Sequence, residues 1–93
     1  MEGTTVVNLR YRTYDVYIGR PSEWGNPYAV GRDGDRDDVI RKHMEYLEKR
    51  IAEDPDFLEH MKKELGGKIL GCFCKPKACH GDNYVTILKR YGY

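Results

Sequence analysis

Glutamine is absent from this 93-residue chain, serine and tryptophan occur once each, and no apolar run approaches the roughly 20 residues that a membrane-spanning helix requires. The N-terminus also lacks the basic-then-apolar layout of a signal peptide. Together these absences predict a soluble, cytoplasmic protein with no membrane partner. Neither sign of charge dominates. Lys and Arg number 16 against 15 for Asp and Glu, so the strong positive field of a dedicated nucleic-acid binder is missing. Nucleic acid would have to be met by a local patch. There is no Gly-Lys-Ser/Thr and no glycine spacing of the dinucleotide kind, which excludes a P-loop and a dinucleotide fingerprint. Three cysteines, an odd number crowded into one segment, fit reduced thiols or metal ligands better than a secreted disulfide framework. A chain rich in Glu, Lys, Arg and Tyr and without Gln shares a bias found in proteins from hot environments.

Ninety-three residues make a single domain, 1–93, with a core too modest for a large internal cavity. Thr4 to Arg10 and Asp15 to Gly19 carry β-prone runs, predicting two strands that a hairpin could join. The Gly- and Pro-punctuated stretch from Arg20 to Gly34 is longer than an ordinary connection, which favours a functional loop. Asp35 and Asp38 suit the start of a helix whose stripe Val39, Ile40, His43, Met44, Leu47, Ile51 continues to about Ala52. Asp54-Pro55 caps a second helix with the stripe Phe57, Leu58, Met61, Leu65, stopped by Gly66-Gly67. Lys68 to Cys74 reads as a buried strand. His80 or Asp82 opens a last helix carrying Tyr84, Val85, Ile87, Leu88 and Tyr91. The predicted class is mixed α/β in the order β-β-α-α-β-α. A strand-helices-strand crossover would bring Gly19-Arg20 and Cys74-Lys75 to one carboxyl edge of the sheet, where open α/β sheets bind ligands.

Chemistry concentrates in two motifs. In Cys72-Phe-Cys-Lys-Pro-Lys-Ala-Cys-His-Gly-Asp82, three thiols and an imidazole (Cys72, Cys74, Cys79, His80) would satisfy a tetrahedral zinc site, with Cys72 and Cys74 on one face of the strand. Against this, the spacing lacks the usual C-x2-C knuckle. In the second reading, Cys79 and His80 sit at a helix N-terminus where the dipole, Lys75 and Lys77 would lower the Cys79 thiol pKa and make it a nucleophile or redox group. The same helix start, with Gly81 permitting close approach, could hold a phosphate, and Asp82 would act as base, ribose acceptor or cap. In the third reading Cys72 and Cys74 are small buried hydrophobes and Asp82 only caps. In Gly19-Arg-Pro-Ser-Glu-Trp-Gly-Asn-Pro27, Arg20 offers a planar fork for phosphate, Ser22 and Asn26 short polar arms, and Trp24 a stacking face for a base. The competing reading has Trp24 plugging the core edge and Arg20 paired with an acid near Asp35. His43 on the apolar stripe is expected to be partly buried, and His60 to lie on an exposed turn.

With Val-Val-Asn-Leu-Arg, Tyr-Ile-Gly-Arg-Pro-Ser-x-Trp-Gly-Asn-Pro, Gly-Asp-Arg-Asp-Asp-Val-Ile and Cys-x-Cys-x-Pro-x-x-Cys-His-Gly-Asp in this order, nearly the whole chain resembles a domain-of-unknown-function family of small phage, viral and bacterial proteins. The resemblance implies that Gly19, Arg20, Ser22, Trp24, Gly25, Asn26, Pro27, Arg36, Cys72, Cys74, Cys79, His80, Gly81 and Asp82 are signature positions. It supplies no reaction. The strand-Cys-His-helix pattern is also similar to another small α/β family in which a Cys-His pair opens a helix, an analogy that favours a site over a closed structural zinc. Two functions are therefore carried forward. One is a nucleotide- or nucleic-acid-related site in which Gly19, Arg20, Ser22, Trp24 and Asn26 bind and Cys79, His80 and Asp82 do chemistry. The other is a non-enzymatic adaptor, stapled by zinc on Cys72, Cys74, Cys79 and His80, that docks a host protein.

Overall fold

The structure is a computed structural model that describes residues 3–93. Strand β1 (Thr5–Asn8) and strand β2 (Val16–Tyr17) are followed by helix α1 (Arg36–Glu53), helix α2 (Pro55–Leu65), strand β3 (Ile69–Cys72) and helix α3 (Gly81–Lys89). The element order is the one expected from the hydrophobic pattern. The sheet order is β1-β3-β2, and both outer strands run parallel to β3. Thr5 to Asn8 pair with Ile69 to Cys72, while Val16 and Tyr17 pair with Leu70 and Gly71.

The hairpin is therefore corrected: β1 and β2 do not touch each other through the ladder, because β3 inserts between them. The reason is burial. Leu70, Gly71 and Cys72 are all buried, the continuous apolar run of a strand enclosed on both sides, whereas β1 and β2 are only half-buried. The residues between β1 and β2 instead fold over the sheet, where the Tyr14 ring lies against the face of Gly71. Strand β3 also ends at Cys72, short of the expected Cys74. Cys72 and Cys74 thus do not share a strand face.

The helices begin where the caps require. Asp35 accepts from the Asp38 N–H at 2.9 Å while the Asp38 carboxylate accepts from the Asp35 N–H at 3.0 Å, a reciprocal box with Asp in the usual Glu place. Asp54 ends α1 and caps α2, with Pro55 in the first-turn position where its missing N–H costs nothing. Ile18, Leu47, Met61, Leu65, Leu70, Ile87 and Leu88 form the centre of the core, and Trp24, Phe57 and Tyr84 join it. Helix α3 starts close against the sheet. A Cβ on Gly81 would lie 2.7 Å from Ile18 Cδ1 and 3.0 Å from both Val6 methyls, so only glycine lets the first turn of α3 seat there.

Inside the core runs a polar chain with a fixed direction. Asn83 Nδ2 donates to Ile40 O at 2.9 Å and to His43 Nδ1 at 3.0 Å. That leaves the His43 proton on Nε2, which donates to the Tyr84 hydroxyl at 3.3 Å, and Tyr84 in turn donates to Trp24 O at 2.7 Å. His43, expected to be partly buried, is completely buried. Burial, with the nearby His80 adding to it, lowers the His43 pKa from 6.5 to about 3. A second ring proton would face the Asn83 amide, itself a donor.

Two outcomes follow from this packing. Gly81→Val should lower stability by about 1–3 kcal/mol through overpacking against Ile18 and Val6, read as a lower urea midpoint with an unchanged slope; an unchanged midpoint would contradict the seating of α3. Because the folded His43 resists protonation and the unfolded one does not, its contribution to stability is intact above pH 6.5 and falls as the pH drops toward 3. At about pH 4.5 the loss should be about 3 kcal/mol, and His43→Leu should show a flatter pH profile in urea titrations than the parent. Equal pH slopes in the two proteins would assign the acid sensitivity to other groups.

Candidate functional site

Parallel strands deliver their chain ends to one edge. Asn8, Tyr17 and Cys72 end the three strands there, and α3 starts beside them. Asn8, to which the sequence reading gave no site role, organises this edge. Its Nδ2 donates to Lys75 O at 2.7 Å and Phe73 O at 3.4 Å, holding the segment after β3, while its Oδ1 accepts from the Arg10 N–H at 2.9 Å. Each of the two motifs contains a cis peptide bond before proline, at Arg20-Pro21 and at Lys75-Pro76.

Between the motifs opens a cleft of about 420 Å³, lined from the first by Gly19, Arg20 and Asn26 and from the second by Cys72, Phe73, Cys74, Cys79 and His80. The expected meeting of the two motifs is present as geometry. Tyr17, Tyr28 and Arg36 complete the wall. A period-2 reading of Val16-Tyr17-Ile18 could have exposed Tyr17, since Ile18 takes the core side. Tyr28 and Phe73 carried no signal. Neither Arg20 nor Arg36 forms an ion pair with a carboxylate among the described residues, although Arg36 donates to Ala78 O at 3.3 Å. The expected alternative of Arg20 paired with an acid near Asp35 is thus not found.

Other candidate residues are committed to structure. Trp24 is 4% exposed, with Phe57, Tyr84 and His60 packed around its ring at centroid distances of 6.0, 5.6 and 5.3 Å, so the indole has no face left for a base. It is a core plug, because a large apolar ring gains more by burial than by waiting at a loop. His60, expected to be exposed, is exposed on α2, where it stacks on Trp24 and pairs with Glu23. Ser22 Oγ accepts from the Trp24 N–H at 3.3 Å. Asn26 bridges Val39 O at 3.1 Å and the Tyr28 N–H at 2.9 Å, clamping the loop to α1. Gly81 brings the helix close to the sheet and not to a ligand, and its N–H already donates to Cys79 Sγ at 3.2 Å. Asp82 takes Lys75 Nζ on one oxygen at 2.6 Å and the Cys79 N–H on the other at 3.2 Å, tying the turn before α3 to the first turn of the helix. Lys75 is correspondingly held above its ordinary pKa by the Asp82 carboxylate.

His80 and the cysteines remain. His80 Nε2 donates to Ile18 O at 2.8 Å and to Trp24 O at 3.1 Å, which fixes the tautomer and leaves Nδ1 as the unprotonated nitrogen. Burial holds its pKa below the ordinary value despite the two carbonyls. Cys72 Sγ and Cys79 Sγ lie 3.2 Å apart and both residues are buried. Either sulfur can donate in this contact; the contact first and burial next push the Cys79 thiol up, while the same contact, helped by Lys75, pulls Cys72 down. The expected lowering at Cys79 is not found there: the contact with Cys72, burial and the Asp82 carboxylate raise it. Among the described residues no group of three or more His, Cys, Asp or Glu side chains converges to hold a metal ion. The expected zinc set of Cys72, Cys74, Cys79 and His80 is thus not brought to one point among the described residues.

No helix of the described residues is long and apolar enough to cross a membrane. No solved structure matches the chain. It is 40% identical over 86 residues to the Uncharacterized 12.4 kDa protein in nrdA-td intergenic region of Enterobacteria phage T4, covering 91% of this chain and 77% of that protein. Residues 5–90 match the family described as Domain of unknown function (DUF4326), and with the site motifs lying inside that span the chain belongs to this family.

Proposed function

We propose that the cleft at the carboxyl edge of the sheet binds a nucleotide, with Arg20 and Arg36 on the phosphate and the Tyr17, Tyr28 and Phe73 rings against the base. The observation that carries this reading is the pair of guanidinium groups lining one cleft without a carboxylate partner among the described residues. Arginine forks match phosphate oxygens two at a time, and aromatic faces accept any base. A volume of about 420 Å³ suits a ligand of nucleotide size. Among the three expected catalytic residues, Asp82 is engaged by Lys75 and the Cys79 N–H and the Cys79 sulfur lies against Cys72, so His80 Nδ1 is the group suited to accept a proton from a bound ligand. The imidazole is neutral near pH 7 because burial disfavours its charged form.

Isothermal titration with nucleoside mono-, di- and triphosphates, and with the matching unphosphorylated nucleosides, tests the reading. Phosphorylated ligands should bind, the nucleosides should bind far more weakly, and Arg20→Ala and Arg36→Ala should each weaken binding about tenfold or more. Silence across the nucleotide panel, or binding indifferent to both substitutions, would overturn it.

A further inference from the structure

We infer that Cys72 and Cys79 form a dithiol couple in the wall of the cleft that exchanges with small-molecule disulfides. Their sulfur atoms stand 3.2 Å apart, one at the end of β3 and the other in the turn before α3. A disulfide bond is about 2.0 Å long, so closing it requires an approach of roughly 1 Å. The turn from Phe73 to Ala78 supplies that freedom, since none of its residues belongs to a strand or helix. Both cysteines are buried from bulk solvent yet line the cleft, which restricts the reactant to one small enough to enter it. The third cysteine, Cys74, is half-buried beside them and has no sulfur partner among the described residues.

The chemistry closes without any group beyond the incoming disulfide. Cys72 as thiolate attacks one sulfur of a disulfide RSSR, forming Cys72–S–SR and expelling RS⁻. The Cys79 thiol then gives up its proton, its sulfur attacks Cys72 Sγ, and a second thiol RSH leaves as the protein disulfide forms. Two electrons pass from the cysteine pair to RSSR. The contact with Cys79 and the nearby Lys75 favour negative charge on Cys72, and the order of the two attacks is read from the adduct that Cys79→Ser traps. Nucleotide binding plays no part in these steps, so the exchange and the nucleotide reading fail or stand separately.

The test uses the fully reduced chain, incubated with excess glutathione disulfide, quenched with acid and analysed by intact mass and tryptic mapping. Cleavage after Lys77 places Cys79 on a different peptide from Cys72 and Cys74, and fragmentation between Cys72 and Cys74 assigns the bridging sulfur. The parent protein and Cys74→Ser should each lose two hydrogens, join the Cys72 and Cys79 peptides, and return to the starting mass with dithiothreitol. With Cys79→Ser, exchange should stop at a glutathione adduct on Cys72. A parent protein that stays fully reduced, a bridge that uses Cys74, or a Cys74→Ser protein without a bridge would overturn the inference. The first and third readouts leave both buried cysteines unaltered, so a misfolded variant cannot decide the result.

Discussion

The main-chain carbonyl of Trp24 receives the Tyr84 hydroxyl at 2.7 Å and His80 Nε2 at 3.1 Å, and the indole on the same residue fills the space between α2 and α3. One loop residue is thus tied to α3 through its backbone and to the core through its side chain. Each such hydrogen bond contributes about 0.5–1.5 kcal/mol net, but leaving a buried donor without its acceptor costs more, so the loop cannot drift without exposing Tyr84 and His80 to an unsatisfied state. The polar chain behind it extends through His43 to Asn83 and Ile40, and no described buried side-chain polar atom lacks a partner. The position of Arg20 in the cleft depends on this anchor four residues away.

The sheet edge and the loop then act together. A parallel three-stranded sheet places every strand end at the same side, and Asn8 couples the end of β1 to the carbonyls of Phe73 and Lys75. The Lys75 ammonium, in turn, faces Asp82 on α3. Lys75 and Asp82 thereby neutralise each other beside the cleft, whereas Arg20 and Arg36 have no carboxylate partner among the described residues. A nearly balanced sequence, 16 basic against 15 acidic residues, can present a locally cationic cleft because its ion pairs lie elsewhere, many of them along α1 and α2.

Periodicity made the helices legible. The Asp35 and Asp54 caps, the Pro55 start and the Leu65 stop all lie within a residue or two of the chemistry that dictates them. The element order followed from the same pattern. Strand pairing did not, because Thr-Thr-Val-Val and Val-Tyr-Ile state only that a segment is β-prone; which neighbour it takes is set by Leu70 and Cys72 demanding cover on both flanks. The co-location of the Arg20 and Cys79 motifs was legible from the crossover. The roles inside them were not. Trp24 in a Gly- and Pro-rich loop looks the same in sequence whether the ring faces solvent or the core, and only the Phe57, His60 and Tyr84 rings decide it. Asn8 and Tyr28 work through their partners, which lie far along the chain in the first case and in the fold of the loop in the second.

The cysteine motif shows why ligand type cannot be taken from residue type. A zinc ion would need four donor atoms aimed at one point, and among the described residues no three such side chains converge, while Cys72 and Cys79 face each other and Cys74 lies past the end of β3. Two sulfurs in contact is an arrangement with a preferred partner, since a bond between Cys72 and Cys79 needs an approach of only about 1 Å. Gly81 contributes to this selectivity. By letting α3 press against Ile18 and Val6 it brings the residue two positions earlier down to the level of Cys72, and its own N–H holds the Cys79 sulfur there at 3.2 Å. The glycine that seats the helix also positions the sulfur, which ties the geometry of the cleft wall to the packing of the core behind it.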